Sequence, residues 1–292
     1  MSAIPAPHPK TRKPIDWWRW CGRGVLTFLL IFTVAPMAWM VLTSIKSQFA
    51  AMQYPPQWWP SEPTLENYIK LLNPANTIGR DFLRYFLNSL WVATATTVLG
   101  VLVAVPAAYA FSRFRFPGRT FLFFSVLLRN MFPAVVFLMP LFLLMRWMGL
   151  VGTHNALILT YLTFGLPLSI WLLKGFYDNI PIQLEQAARI DGATRFQAFL
   201  LIVMPLSTPG IIATSIYSFI LAWNEYVYAA TFVNNKDRLT LPVGIQRFFA
   251  EYATDWPGLM AATFLMSVPV VVLFLVLQRY FVRALTEGAV KS

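Results

Sequence analysis

Long apolar runs separated by short polar segments dominate the chain. A helix needs roughly twenty residues to cross the apolar core of a bilayer, and six runs reach that length. We predict these runs as transmembrane helices: Gly24–Thr43, Ser89–Phe111, Phe121–Met145, Ala156–Phe176, Gly210–Val233 and Leu259–Phe281. The pattern therefore indicates an all-α membrane protein with six transmembrane helices, and an even number of crossings puts both termini on one side.

Composition agrees with a membrane protein. Hydrophobic residues make up 58% of the 292 residues, charged residues only 12%, and the mean hydropathy is +0.59. Soluble domains carry about a quarter charged residues. The first run follows several basic residues and could be a cleaved signal sequence, but its length and the absence of a small-x-small site favour an uncleaved anchor. The single cysteine, Cys21, excludes an internal disulfide.

Lysine and arginine side chains indicate the orientation. The net charge is +11, and most of the 23 basic side chains fall on the side of the two termini. Such residues are enriched in cytoplasmic loops, so both termini are predicted to be cytoplasmic, and the charge needs no nucleic-acid partner. The predicted organisation is an N-terminal arm (1–23), a six-helix transmembrane domain (24–281) and a C-terminal tail (282–292).

The largest predicted external loop covers residues 44–88. Its stretch YPPQWWPSEP is rich in proline and tryptophan, and tryptophan favours the membrane interface. The following TLENYIKLL places Leu65, Tyr68, Ile69 and Leu72 on one face of a short helix. We predict that this helix lies along the membrane surface.

A polar, alanine-rich segment within 177–206 separates the fourth and fifth runs. Pro181 can begin a helix, and Gly192 can interrupt it because glycine readily adopts a left-handed backbone. Thr194 and Gln197 have the spacing of a capping box for a second helix. The segment is predicted to form a helix–turn–helix elbow whose tip carries small residues that another protein could approach closely.

The same segment resembles the EAA loop of ABC-importer permeases. That loop reads Glu-Ala-Ala, three residues, a glycine, nine residues and then Ile-x-Leu-Pro. Here the pattern is Gln186-Ala187-Ala188, Gly192 and Ile202-Val203-Met204-Pro205. Gln186 replaces the usual glutamate, Met204 replaces the usual leucine, and Glu185 stands one position early. Further stretches resemble the carbohydrate-uptake branch, specifically the smaller permease of the maltose transporter and its relatives: AYAFSRFRFPGR, NMFPAVV, WNEYVYA and QRYFVRALTEGAVKS.

The resemblance implies a type I ABC importer permease bundle with a cytoplasmic coupling helix. Its implied partners are a second permease, two ATPase subunits that bind ATP and magnesium, and an external sugar-binding protein. It implies ATPase-coupling roles for eight residues: Glu185, Gln186, Ala187, Ala188, Asp191, Gly192, Ala193 and Pro205. It also implies that Thr286, Glu287 and Gly288 in the tail contact the ATPases. The chain lacks the G-x-x-x-x-G-K-[ST] motif and is not itself predicted to be an ATPase.

Polar residues in the predicted spans are candidates for a translocation path, because they are costly inside a membrane. The candidates are Asn88, Ser89, Arg129, Asn130, Trp223, Asn224, Glu225 and Tyr226. Contacts within the bundle explain Arg129, Asn130, Asn224 and Glu225 as well as sugar contact does. Trp223 and Tyr226 fit both a sugar-stacking role and a role as interface anchors. In the maltose relatives the partner permease makes the sugar contacts.

Two other classes of protein remain open. An ion-coupled secondary transporter of a small polar solute could use Arg129 and Glu225, although such carriers usually show paired repeats with broken helices, and no internal symmetry is evident. A membrane enzyme has little support, because His8 and His154 are the histidines of the chain and neither H-E-x-x-H nor G-x-S-x-G occurs. The sequence does not identify the sugar, because the external protein normally selects it.

Overall fold

A computed structural model describes residues 17–246 and 254–289, with only the backbone for residues 19, 20 and 279–289. All regular structure in these ranges is helical. The α-helices are α1 (Trp17–Ser44), α2 (Gln48–Met52), α3 (Glu66–Leu72), α4 (Thr77–Arg113), α5 (Arg119–Leu128), α6 (Leu138–Trp147), α7 (His154–Asp178), α8 (Ile182–Ile190), α9 (Arg195–Ala198), α10 (Met204–Leu206), α11 (Thr208–Trp223), α12 (Val227–Phe232), α13 (Leu241–Ile245) and α14 (Trp256–Ala289).

Four helices in the described ranges are long and apolar enough to cross a membrane: α1, α4, α7 and α14. Two bent pairs raise the number to six if each pair forms one span. The first pair, Arg119–Met131 and Ala134–Trp147, bends by 103°, and the second, Arg195–Leu206 and Thr208–Trp223, bends by 73°. Each predicted apolar run overlaps one of these helices or pairs.

The third apolar run does not form the continuous helix predicted over Phe121–Met145. Two short 3₁₀ turns, Arg129–Met131 and Ala134–Phe137, separate α5 from α6. Pro133 explains the break, because it has no N–H to donate and disfavours helical values in the residue before it. Phe132 accordingly has an extended backbone, with φ −92° and ψ 136°.

Two other predicted boundaries also need correction. The second helix begins at Thr77 rather than Ser89, because the Asn76 side chain caps it by accepting a hydrogen bond from the Gly79 N–H at 2.6 Å. Asn88 and Ser89 therefore lie inside α4. The fifth run is interrupted, since α11 ends at Trp223 and α12 begins at Val227.

The core of the bundle lies between α4, α7 and α11. Three alanines of α4, Ala93, Ala104 and Ala108, are fully buried, and small residues of this kind let membrane helices approach closely. Gly210 in α11 has the same role, because a Cβ atom built there would lie 2.5 Å from ring carbons of Phe176. The helix α1 packs against α14.

The predicted short helix of the 44–88 loop is present as α3. Leu71 is buried, and the Tyr68 hydroxyl forms a 2.6 Å hydrogen bond with the Ser44 hydroxyl. Leu65, Ile69 and Leu72 are exposed. The helix is therefore held against the bundle by Leu71 and Tyr68. No other part of the described chain covers the side chains of Leu65, Ile69 and Leu72.

Candidate functional site

The elbow between α7 and α11 has the predicted turn at Gly192. The helix α8 follows Pro181, and Gly192 has a left-handed φ of +95°. The Ala193 N–H donates to the Ala188 carbonyl at 2.9 Å, and the Gly192 N–H donates to the Arg189 carbonyl at 3.2 Å. These two bonds form a Schellman motif, which ends a helix with a left-handed residue. The left-handed backbone of the turn thus favours glycine at this position.

The predicted capping box is also confirmed. The Thr194 hydroxyl accepts from the Gln197 N–H at 3.2 Å, and the Gln197 side-chain oxygen accepts from the Thr194 N–H at 2.8 Å. The chain then continues through α9, a π-helical turn (Phe199–Val203) and α10 towards α11. Pro205 in α10 cannot donate a backbone hydrogen bond, so the ladder is locally interrupted where the elbow joins the span.

Most of the predicted coupling residues lie at the surface of the elbow. Gln186, Ala187, Asp191, Gly192 and Pro205 are exposed, whereas Ala188 and Ala193 are half-buried. Two apolar side chains near the tip, Ile190 and Phe196, are 86% and 67% exposed. Sequence reasoning did not select these two, although exposed apolar side chains beside small residues are typical of a docking surface.

Glu185 points away from this surface. Its side chain is buried, and both carboxylate oxygens accept hydrogen bonds from α4. The Arg113 Nε donates to Oε1 at 2.6 Å, and the Tyr109 hydroxyl donates to Oε2 at 2.7 Å. The neighbouring Gln186 faces the solvent side of the elbow. Glu185 and Gln186 therefore face different directions, and the Glu185 carboxylate is occupied within the chain.

Arg113 and Tyr109 were not selected from the sequence as site residues. Arg113 also donates to the Ile180 carbonyl at 2.9 Å, and Tyr109 packs its ring against Phe199 at 4.4 Å between centroids. A crevice of about 140 Å³ beside these contacts is also lined by Arg189 and Arg195. Both residues lie in the stretch AYAFSRFRFPGR, but nothing in that stretch indicates that they bind Glu185.

Asn88 and Ser89, two candidates for the translocation path, bind the segment before α13. The Asn88 side-chain amide donates to the carbonyls of Asp237 and Leu239, both at 2.9 Å. The Ser89 hydroxyl accepts from the Leu241 N–H at 2.7 Å. These polar groups are occupied within the chain and hold its 237–241 segment against α4.

Trp223 lies in the core rather than on an open face. It is 1% exposed, its indole N–H donates to the Met266 carbonyl at 3.1 Å, and its ring contacts Phe86 and Phe219. A sugar cannot stack on this ring in the described conformation. The suggestion that Trp223 stacks on a sugar is therefore corrected, and its role in this conformation is packing.

Glu225 occupies the break between α11 and α12. Its carboxylate accepts from the Tyr161 hydroxyl at 2.8 Å and from the backbone N–H groups of Tyr228 and Ala229 at 2.9 and 3.1 Å. A carboxylate at the start of a helix also interacts favourably with the helix dipole. Glu225 is thus a helix cap and an interhelical acceptor. The adjacent Asn224 is exposed and Tyr226 is half-buried.

Arg129 lies at the break between α5 and α6, half-buried. Its Nη1 donates to the Asn130 side-chain oxygen at 2.8 Å, and its guanidinium carbon lies 3.5 Å from the ring centroid of Phe164. The ring of Phe164 in turn packs against Tyr228, whose hydroxyl donates to the Ala134 carbonyl at 2.6 Å. The structure thus brings the break between α5 and α6 close to the start of α12. Asn130 is exposed.

The tail candidates fall at the end of the described chain. The backbone of α14 runs to Ala289, but nothing beyond the backbone is described for Thr286, Glu287 and Gly288. The same holds for residues 1–16 of the predicted N-terminal arm.

Comparison with known proteins gives consistent matches. The family model described as "Binding-protein-dependent transport system inner membrane component" matches residues 96–287. The inner membrane ABC transporter permease protein YcjP of Escherichia coli is 36% identical over 94% of this chain and 95% of its own. The sulfoquinovosyl glycerol permease SmoH of Agrobacterium fabrum is 36% identical over 91% and 92% of the two chains. The trehalose permease SugB of Mycobacterium tuberculosis is 36% identical over 91% and 95%.

Solved structures agree on the fold. A chain of a bacterial ABC transporter for import of the acidic polysaccharide alginate has a TM-score of 0.79, with 22% identity over 94% of this chain and all of that one. A chain of the alginate transporter in complex with its pentasaccharide-bound periplasmic protein has a TM-score of 0.67, with 17% identity over 90% and 93% of the two chains. At these identities the likeness concerns the fold alone.

Proposed function

The chain belongs to the family of binding-protein-dependent transport system inner membrane components, and its relatives include permeases named for trehalose and sulfoquinovosyl glycerol. We propose that it is the permease subunit of an ATP-driven importer. Its cargo is a sugar or sugar derivative that an external binding protein delivers. The partners in this proposal are a second permease and two cytoplasmic ATPase subunits, which hold the ATP and magnesium.

The observation that carries the proposal is the elbow. It joins α7 to α11 through two helical segments whose turn is fixed by a Schellman motif and a capping box. Its tip presents Gln186, Ala187 and Gly192 beside the exposed Ile190 and Phe196. Small exposed residues and two exposed apolar groups form a surface that a groove of an ATPase subunit can cover.

The elbow can act as a lever because its shape does not depend on a partner. Closure of the ATPase pair on ATP would move the docked tip, and the helices of the elbow would transmit this displacement to the two spans that they join. A bundle of packed helices responds to such a force by moving as rigid bodies. The cavity at the permease interface would then open alternately to the two sides of the membrane.

The cargo would pass along two breaks, the one between α5 and α6 and the one between α11 and α12. The exposed Asn130 and Asn224, the half-buried Tyr226, and the groups of Arg129 and Glu225 lie at these breaks. Irregular backbone in a membrane occurs where it is buried in protein or lines a cavity. Asn88, Ser89 and Trp223 have internal partners and would support the path without touching the cargo.

The proposed topology has six spans and both termini in the cytoplasm, with each bent pair counted as one span. This puts the elbow on the ATPase side and the 44–88 loop on the side of the binding protein. It leaves the N-terminal arm (1–23) and the tail (282–292) in the cytoplasm, where Thr286, Glu287 and Gly288 would reach the ATPases. The basic side chains support this orientation.

The assignment of the cargo to sugars and their derivatives rests on the compounds for which the relatives are named. They include permeases for trehalose and for sulfoquinovosyl glycerol, as well as an uptake system for diacetylchitobiose. This range covers neutral and anionic compounds. The proposal therefore extends to the class of sugar derivatives and to no single member.

The direct test is the energy source of uptake. Cells that express the chain with its partners are given a radiolabelled panel of trehalose, maltose and sulfoquinovosyl glycerol. Uptake of a panel member should stop when ATP is depleted and continue when a protonophore alone removes the proton gradient. The opposite dependence would identify an ion-coupled secondary transporter, which is the alternative function.

A further inference from the structure

The elbow is covalently joined to α7 and α11 but not to α4. The helix α4 nevertheless lies in the core of the bundle, where it packs against both α7 and α11. Any movement of the elbow must therefore reach α4 through noncovalent contacts. Two kinds of contact are available: the packing of α4 against α7 and α11, and the polar contacts at the end of α4, which reach the elbow directly.

These contacts are concentrated at Arg113, the last residue of α4. Its guanidinium bonds to the Glu185 carboxylate and to the Ile180 carbonyl in the loop that leads into α8. Tyr109, one turn earlier, bonds the second oxygen of the same carboxylate. The adjacent Ser112 hydroxyl donates to Asp178, the last residue of α7, at 2.6 Å. One carboxylate thus receives both of its polar contacts from α4.

The ion pair is shielded from water. The Arg113 and Glu185 side chains are 11% and 8% exposed, so their attraction is screened much less than that of a surface pair. Hydrogen bonds between charged groups are short, strong and directional. Apolar contacts such as Tyr109 against Phe199 do not fix a position in this way, because ring surfaces can slide over one another. The polar contacts therefore restrict relative movement at this point more than the ring contacts do.

We propose that Glu185, Arg113 and Tyr109 form a joint through which movement of the elbow is delivered to α4. The proposal rests on the proposed function and assigns these three as positioning residues that do not touch the cargo or the ATPase. Glu185 serves the inside of the elbow, whereas the exposed Gln186 beside it belongs to the docking surface. The hydrogen bonds of Arg113 and Tyr109 to Glu185 stay formed while the elbow and α4 move together.

The experiment measures whether the distance between the end of α4 and α8 stays the same when the ATPases close. The importer is purified with its partners in nanodiscs, with Cys21→Ser and spin labels at Arg115→Cys and Gln183→Cys. Both labelled positions are exposed, one beyond α4 and the other in α8. The distance between the labels is measured without nucleotide and after trapping with ATP and vanadate. We expect one narrow distribution that is the same in both states.

The substitution Glu185→Gln removes the charge and keeps the shape of the side chain. It should broaden the distribution and shift its centre on trapping, while the ATPase stays bound because the docking surface is intact. Cargo moved per ATP should fall about tenfold, which lies within the usual range of coupling between sites. The exchange Arg113→Glu with Glu185→Arg should recover much of this loss, and Tyr109→Phe should have a smaller effect of the same kind.

The exposed ion pair of Glu66 and Lys70 in α3 offers a control. Its Lys70 Nζ lies 2.7 Å from Glu66 Oε1. Glu66→Gln should change neither the distances nor the coupling. Three results would overturn the joint. The wild-type distance could shift on trapping, Glu185→Gln could leave both the distances and the cargo moved per ATP unchanged, or the charge exchange could recover none of the lost coupling. The same holds if Glu185→Gln releases the ATPase. A wild-type chain that purifies without any ATPase would instead refute the proposed function itself.

Discussion

The substitution Gly192→Trp separates docking from folding at the tip of the elbow. A Cβ atom at this position would meet no atom within 4 Å, so the folded chain has room for a larger side chain. The remaining cost is that of φ +95°, and left-handed values cost an L-residue about 1–2 kcal/mol. Domains are stable by about 5–15 kcal/mol. The variant should therefore fold and insert in the membrane.

The tryptophan would nevertheless obstruct any protein that covers the tip. We expect ATP-driven uptake to fall by at least about tenfold, which corresponds to roughly 1.4 kcal/mol of lost docking energy. ATP hydrolysis should continue without matching transport. The assay measures uptake and hydrolysis in the same membrane vesicles, with the amount of inserted chain determined by immunoblot.

Gly152→Trp is a matched control. Gly152 has φ +83°, a Cβ atom added to it would meet no atom within 4 Å, and it precedes α7 at the end opposite to the elbow. The backbone cost is therefore similar, but uptake should be retained. Gly192→Ala tests the backbone cost alone and should keep most of the uptake. Normal uptake in Gly192→Trp, or an equal loss in both tryptophan variants, would refute the reasoning.

Three further substitutions test the fold around the elbow and the broken spans. Gly210→Leu should lower the amount of folded chain recovered in detergent, because its Cβ would lie 2.5 Å from the Phe176 ring; a wild-type yield would contradict the packing. Glu225→Ala leaves the Tyr161 hydroxyl and two backbone N–H groups without their acceptor. It should lower the free energy of unfolding by about 1–3 kcal/mol, seen as a lower Tm, with Glu225→Gln less affected. Thr194→Ala removes the capping box and should cost about 1 kcal/mol, with a moderate loss of uptake that Thr194→Ser restores.

The elbow could be predicted from sequence because its signals are local. The left-handed turn favours a glycine, here Gly192, and the capping box uses Thr194 and Gln197 at a fixed spacing. Each signal acts within a few residues, so the sequence alone places the turn and the second helix. The structure confirms both.

The breaks in the spans were harder to predict, because an apolar run looks the same in sequence whether it forms one continuous helix or two. Pro133 interrupts the third run, but Pro106 and Pro167 lie inside α4 and α7 without ending them. Whether a proline ends a membrane helix depends on the groups that satisfy the freed carbonyls. That information lies in neighbouring helices rather than in the run itself.

The joint depends on long-range pairing that no local pattern encodes. Arg113 and Glu185 are 72 positions apart. In the sequence Arg113 contributes to the orientation signal and to the stretch AYAFSRFRFPGR, but neither pairs it with Glu185. Glu185 and Gln186 are adjacent and polar, so the sequence does not show which of them faces inward. Trp223 is similar, since its burial depends on Phe86 and Met266 in other helices.

The central claim is that this chain works with an ATPase through its elbow. The most direct measurement is affinity purification of the chain from its native membrane, followed by mass spectrometry of the proteins that remain bound. The account predicts recovery of an ATPase and a second permease, with the ATPase lost when residues Gln186–Arg195 are deleted. Recovery of the chain alone, in preparations that still transport, would contradict it.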